Sequence, residues 1–380
     1  MIYLDNAATT FPKPRGVPEA VNRALTQFGA NPGRSAHRLS LRAAHEVWRC
    51  RERLAAFFNV PDPARIAFCL NCTDALNTAI QGSLRPGMHV ITTALEHNSV
   101  LRQLAPLRRA GEISLTILPP DESGTVSAAR FAQAMTRETG LVICTHASNV
   151  TGAIQPVGEI AALCRARGVR FVVDMAQTAG LLPIDLQAIG CDLAALPGHK
   201  GLYGPMGTGA LCVAPGVELR PLRRGGTGSS SQSVYQPDEL PDSLESGTLN
   251  LPGIAGLDAG IAFIAGHAAE VRGVERELLS RLLEGLAGLG ARILGPQDVN
   301  GRVGVVSFNL GSTPSTDIAD ALSGDDDSGC IAVRAGLHCA PLAHEHYGTL
   351  EQGAVRISLG AFNTLQDVEA TLRALERFAV

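Results

Sequence analysis

Val169-Arg170-Phe171-Val172-Val173-Asp174-Met175-Ala176-Gln177 is an apolar run that ends in a carboxylate. Val169–Asp174 is nearly continuous in apolar residues, the pattern of a strand buried on both faces. Six further runs share it: Ile66–Cys69, His89–Thr92, Ile113–Leu118, Leu141–Thr145, Asp192–Leu196 and Gly209–Val213. Helix-like segments lie between them, among them Val157–Arg167, which ends at Gly168. This alternation predicts an α/β domain around a mostly parallel, seven-stranded sheet. In open sheets of that kind, ligands sit beyond the carboxyl ends of the strands. Asp174 is therefore a candidate ligand-binding carboxylate; an Asp capping the next helix is the other reading.

Outward from this core the pattern changes. Arg223–Asp242 is rich in Gly, Ser and Pro and long for a plain connection. A long helical pattern starts near Pro252. Beyond residue 290 the expected order is strand (Val303–Asn309), helix (Thr316–Leu322), strand (Ile331–Arg334), strand (Arg356–Leu359) and helix (Thr364–Phe378). The expected division is a large α/β domain over 16–255 and a smaller α+β domain from 1–15 and 256–380. Gly324–Gly329 is read as an acidic turn whose spacing fits no calcium loop.

A chain of 380 residues suits two domains. The formal net charge of −4 argues against nucleic acid as a partner. Arg220, Arg223 and Arg224 are a local exception, read as a solvated basic loop. No run of about 18 apolar residues occurs, so no membrane helix is expected. Met1–Asn6 does not read as a secretory signal. Nine scattered cysteines, an odd number, do not read as a disulfide framework and point to free thiols in a reducing, cytoplasmic setting.

Three other segments carry chemistry. Gly198-His199-Lys200-Gly201 places a lysine in an apolar, glycine-flanked setting after a strand. A desolvated lysine has a lowered pKa and forms imines; a phosphate-binding lysine or a solvated loop are the alternatives. No GxxxxGK[ST] is present, and Gly204–Gly209 does not fit a dinucleotide turn. Asn71-Cys72-Thr73-Asp74-Ala75-Leu76-Asn77 opens a helix after a strand, which suits an anion site or an ordinary N-cap. Cys69 and Cys72 form a C-x-x-C without a second metal-ligand pair. Arg334-Ala335-Gly336-Leu337-His338-Cys339-Ala340-Pro341 offers a cysteine near cationic groups, either a nucleophile or a packing residue.

Taken together these segments resemble the pyridoxal-5′-phosphate (PLP) dependent class V aminotransferase superfamily, and within it the cysteine desulfurases and selenocysteine lyases. The resemblance also rests on Tyr3–Thr10, Pro12-Lys13-Pro14, Leu95-Glu96-His97-Asn98, Ser148–Gly152, Glu245–Asn250 and Arg356–Leu359. The RxGxHCAP segment looks like the second group of cysteine desulfurases. The fold implied is PLP fold type I. The resemblance implies that Lys200 bears the cofactor as a Schiff base, that Asp174 pairs with its pyridinium nitrogen and that His97 stacks on its ring. It implies Gln177 near the phenolic oxygen and Asn149 near the bound amino acid. Thr73, the backbone at Cys72 and His199 are implied as the phosphate cradle. Arg356 is implied as the clamp on the substrate carboxylate, with Arg334 as the fallback. Thr227 and Thr248 are implied to approach the neighbouring subunit's site in a homodimer. Pro197 departs from the family, since many relatives have Ser or Thr there as a phosphate ligand. Cys72 also stands where relatives often have Thr or Ala.

The activity so implied converts L-cysteine, or L-selenocysteine, to L-alanine, with Cys339 taking up the sulfur as a persulfide for an acceptor protein or small molecule. Transamination or another C–S lyase reaction on the same fold is the alternative, as is a sulfur-delivery scaffold. The chain has only two lysines, Lys13 and Lys200. Lys13, between two prolines near the terminus, reads as poorly placed for a preorganised nucleophile.

Overall fold

The computed structural model describes the 380 residues except 34–36, 230, 325–328 and 380. The three aspartates of the acidic turn thus lie outside the described residues. All seven expected strands form. They are β1 (Ile66–Cys69), β2 (His89–Thr93), β3 (Ser114–Leu118), β4 (Thr139–Thr145), β5 (Arg170–Asp174), β6 (Leu193–Pro197) and β7 (Gly209–Val213), in the order β1-β7-β6-β5-β4-β2-β3. Only β7 runs against its neighbours. The continuous apolar runs have their cause here: Val142, Cys144, Phe171 and Val173 face one buried layer, while Leu141, Ile143 and Val172 face the other.

Helices cover both faces: α1 (Gly16–Gln27), α2 (Arg38–Phe58), α3 (Cys72–Ser83), α4 (Asn98–Arg109), α5 (Val157–Arg167) and α6 (Leu251–Gly288) among them. Gly168 ends α5 at φ 64°, the left-handed cap that glycine supplies without strain. Asn250 starts α6 by accepting the N–H of Gly253. The expected boundary at 255 falls inside α6. Its first half packs Ile254, Leu257, Ile261 and Ile264 into the large core, and its second half packs Leu278, Leu282 and Leu286 into a second core. By length and composition alone α6 could cross a membrane, but half of its most apolar 18-residue stretch is buried inside the fold, and the helix packs on α1 and α2.

The second core lines a four-stranded antiparallel sheet of β8 (Arg292–Ile293), β9 (Val305–Asn309), β10 (Arg334–Gly336) and β11 (Ala354–Ser358), ordered β10-β11-β9-β8. Helices α7 (Ser315–Ser323) and α8 (Leu365–Leu375) pack with it. A capping box of Thr364 and Asp367 starts α8. The strand expected over Ile331–Arg334 is divided. Ile331–Ala332 pairs with Ile2–Tyr3 from the N-terminus, and Arg334 turns into β10 beside β11.

Candidate active site

The carboxyl ends of β4, β5 and β6 and the starts of α3 and α4 meet the Cys339 segment around a cavity of about 240 Å³. Its wall contains Cys72, Thr73, His97, Asn149, Asp174, Gln177, His199, Lys200, Arg334, Cys339 and Arg356. Thr227 and Thr248 are not part of it. They line a separate surface cavity beside Trp48 and Arg51.

Asp174 ends β5 and is buried; its Oδ1 accepts the N–H of Ala176 at 2.8 Å and faces the Cys72 thiol at 3.5 Å. Burial raises its pKa, opposed by the Ala176 N–H and the charge of Lys200. Lys200 follows β6 and its pKa is lowered, first by burial and then by Arg356. A lysine so placed is more often the free amine that forms imines.

His97 caps α4, its Nδ1 accepting the N–H of Ser99 at 3.1 Å. Burial, then Lys200 and Arg356, hold its pKa down to about 4, so the ring is neutral at pH 7. The Ser99 hydroxyl lies 2.8 Å from the same nitrogen and 2.7 Å from the Thr73 hydroxyl. That links the ring to the first turn of α3. Asn71 caps α3 through the N–H of Asp74, the N-cap reading of this segment, and Cys72 and Thr73 in the first turn line the cavity. The Nδ1 of His199 is buried and has no partner among the described residues.

Arg356 is buried on β11. It donates to the carbonyl of Asn149 at 3.1 Å and to Asp5 Oδ1 at 2.8 Å. Its cross-strand neighbour is Arg334, which lies 3.5 Å from Asp5 Oδ2. Two guanidiniums placed opposite each other repel; Asp5 between them offsets that. Sequence reasoning did not give Asp5 this part. The signal was available, because two arginines near one site need a counter-ion. Ser99 carried no comparable signal.

Cys339 is exposed, and both it and His338 have left-handed backbone, φ 56° and 50°. Such geometry is costly for side-chain-bearing residues and is held from outside. The Asn149 amide donates to the carbonyl of His338 at 2.7 Å, and the N–H of Asn98 to that of Cys339 at 2.7 Å. Behind them His338 Nδ1 lies 3.3 Å from His344, which lies 2.8 Å from Thr349. Gln177 donates to the carbonyl of Ala7 at 3.2 Å, joining the N-terminal segment to the wall.

The arrangement therefore combines an amine, a buried carboxylate, a neutral imidazole, the start of a helix, a guanidinium and an exposed thiol. The aminotransferase class-V family model matches residues 2–371. A probable cysteine desulfurase of Methanothermobacter thermautotrophicus is 35% identical, covering 100% of this chain and 94% of its own. One from Pyrococcus abyssi is 34% identical, covering 99% and 94%. The apo structure of the cysteine desulfurase from Thermococcus onnurineus NA1 superposes with a TM-score of 0.91 at 32% identity, covering 100% of this chain and 94% of that one. The chain thus belongs to the PLP-dependent aminotransferase class-V family and, within it, to the cysteine desulfurases.

Proposed function

We propose that this chain holds PLP on Lys200 and converts L-cysteine to L-alanine, leaving the sulfur as a persulfide on Cys339. The observation that carries the reading is the exposed Cys339 thiol in one cavity wall with Lys200, Asp174 and Arg356.

The residues fit the cofactor. The unpartnered Nδ1 of His199, the Thr73 hydroxyl and the first N–H groups of α3 make a donor set for a phosphate. Pro197 lines the cavity without a side-chain donor, so Thr227 of a second subunit is the proposed supplement. Asp174 would pair with the ring nitrogen, His97 lie over the ring and Gln177 reach its phenolic oxygen. When bound, the cofactor supplies an electron sink for charge at the substrate Cα.

The chain's own groups do the rest. Arg356, with Arg334 as the fallback, takes the substrate carboxylate, and Asn149 lies near the bound amino acid. The Lys200 amine takes the Cα proton. The Cys339 thiolate attacks the substrate sulfur; the S–S bond forms as the C–S bond breaks, and the carbon skeleton recovers protons to leave alanine. The balance is one cysteine and one thiol giving one alanine and one persulfide.

The exposed apolar side chains Leu39, Leu41 and Trp48 on α2, the last of them lining the Thr227–Thr248 cavity, support a homodimer. The nine free cysteines support a reducing, cytoplasmic setting. The domain division we propose keeps 16–255 as the cofactor-binding unit, with α6 running through its boundary. Selenocysteine as a second substrate and a separate sulfur acceptor belong to the same reading.

The test is Cys339→Ala incubated with L-cysteine. The variant is expected to keep the visible cofactor band and to form neither alanine nor persulfide. In the unaltered protein, a cysteine pulse without reductant should leave one extra sulfur on the Cys339 peptide. Alanine formation by the variant at the unaltered rate would sink the persulfide reading.

A further inference from the structure

The second lysine is not the loosely held terminal residue its sequence setting predicts. Lys13 is partly buried, and its Nζ donates at 2.7 Å to the carbonyl of His199 and at 2.7 Å to the Thr10 hydroxyl. No carboxylate lies within ion-pair distance of it among the described residues. The acceptor belongs to the residue just before Lys200. The same His199 carbonyl also receives the Thr10 N–H at 3.2 Å and the Thr9 hydroxyl at 3.1 Å. The Thr10 hydroxyl is 3.1 Å from the carbonyls of both His199 and Lys200.

A carbonyl with so many donors is a fixed point. The N-terminal segment is locked at its other end as well, by Asp5 on Arg356 and by Ala7 under Gln177. One short stretch of chain therefore touches the substrate clamp, the wall at Gln177 and the peptide bearing the reactive amine. Burial pulls the Lys13 pKa down to about 8, and its charge is one of the causes that keep His199 neutral.

We propose that Lys13 is a positioning residue for Lys200: its ammonium fixes the 199–200 peptide and opposes a second positive charge on the neighbouring amine. Burial and then Arg356 hold Lys200 toward the free amine, against Cys72, Asp174 and Asp5; the Lys13 ammonium, anchored on the carbonyl just before Lys200, is a further cation acting in the same direction as Arg356. The proposal rests on Lys200 being the cofactor-bearing residue.

Because Lys13 and Lys200 are the only lysines, amine labelling followed by peptide mass reads each one separately. In the cofactor-free protein at pH 7, where Lys13 keeps its proton, Lys13→Met should slow acetic-anhydride labelling of Lys200 about fivefold. In the cofactor-loaded protein, the pH midpoint of the visible band should rise by about half a unit or more. Lys13→Arg, which keeps the charge, should restore most of both. A merely structural strap would lower the melting temperature and leave both readouts in place, and a folded Lys13→Met protein with both unchanged overturns the proposal. If Lys13→Met does not fold, Lys13→Gln, which keeps a donor for the His199 carbonyl and removes the charge, takes its place in the same two measurements: slower labelling and a raised midpoint support the proposal, and no change in either overturns it. Absence of any visible band in the unaltered protein would instead overturn the assignment of Lys200.

Discussion

Arg356 and Asp5 show how a single residue's part depends on its neighbours. From sequence, a guanidinium leading an apolar strand needs an anion, and the substrate carboxylate was the expected one. The structure supplies Asp5 at 2.8 Å as a resident partner and leaves the guanidinium Nε without one among the described residues. The resident pair and the substrate site are thus separable. Arg356→Lys loses the fork that a carboxylate would fit, and kcat/KM for cysteine should fall by about 1.5–3 kcal/mol of transition-state stabilisation, mainly through KM. Asp5→Asn should instead act on stability. It leaves two facing arginines uncompensated, at a cost of about 2–4 kcal/mol in denaturant unfolding. Equal effects of the two changes on KM, with no stability difference, would make Arg356 a structural ion-pair partner only.

At the scale of elements, α6 and the turn after Lys200 decide how tightly the reactive peptide is seated. Gly260 on α6 faces the 202–204 turn: a methyl group there would meet the carbonyl of Leu202 and lie 2.8 Å from the N of Gly204. Both contacts are to backbone, so one of the two elements would have to shift. Gly260→Ala should therefore cost about 1–3 kcal/mol by overpacking, read as a lower denaturant midpoint; a midpoint equal to that of the unaltered chain would mean that the turn is free to move. Much of this architecture was legible in the sequence. The seven strands were, because apolar runs buried on both faces leave a continuous signal, and so was the end of α5 at Gly168. The strand Ile2–Tyr3 was not, nor was the division of the strand expected over Ile331–Arg334, since two or three residues carry no periodicity. Nor was the seating of Lys13, which depends on the N-terminus reaching a carbonyl 186 residues away. Thr227 and Thr248 show the opposite case: the resemblance assigned them to a cofactor site, yet within one chain they lie at a separate cavity, and only the proposed homodimer would bring them to a site.

For the whole molecule, the thiols set the response to alkali. Cys50, Cys69, Cys72, Cys144, Cys164, Cys191 and Cys212 all have pKa values raised, in each case first by burial. In the unfolded chain these groups ionise near pH 9. A folded-state pKa above the unfolded one adds stability that is fully present below pH 9 and lost as pH rises toward the folded values. Lys13 and Lys200, both lowered from 10.5, work the other way below that pH, but they are two groups against seven. With reductant present, unfolding free energy should hold from pH 7 to 8.5 and then drop by several kcal/mol per unit up to pH 10.5. A flat profile over that range would mean that the thiols ionise in the folded protein.

The left-handed pair His338–Cys339 is pinned at two successive carbonyls, by Asn149 and by the backbone of Asn98. With its peptide tethered on both sides, the sulfur of Cys339 has only the staggered turns of its own side chain to travel by, a sweep of roughly 3 Å. It is a fixed berth, not a swinging arm. In the proposed reaction, sulfur carried there would stay at the cavity mouth, and the distance left to close would fall to the acceptor.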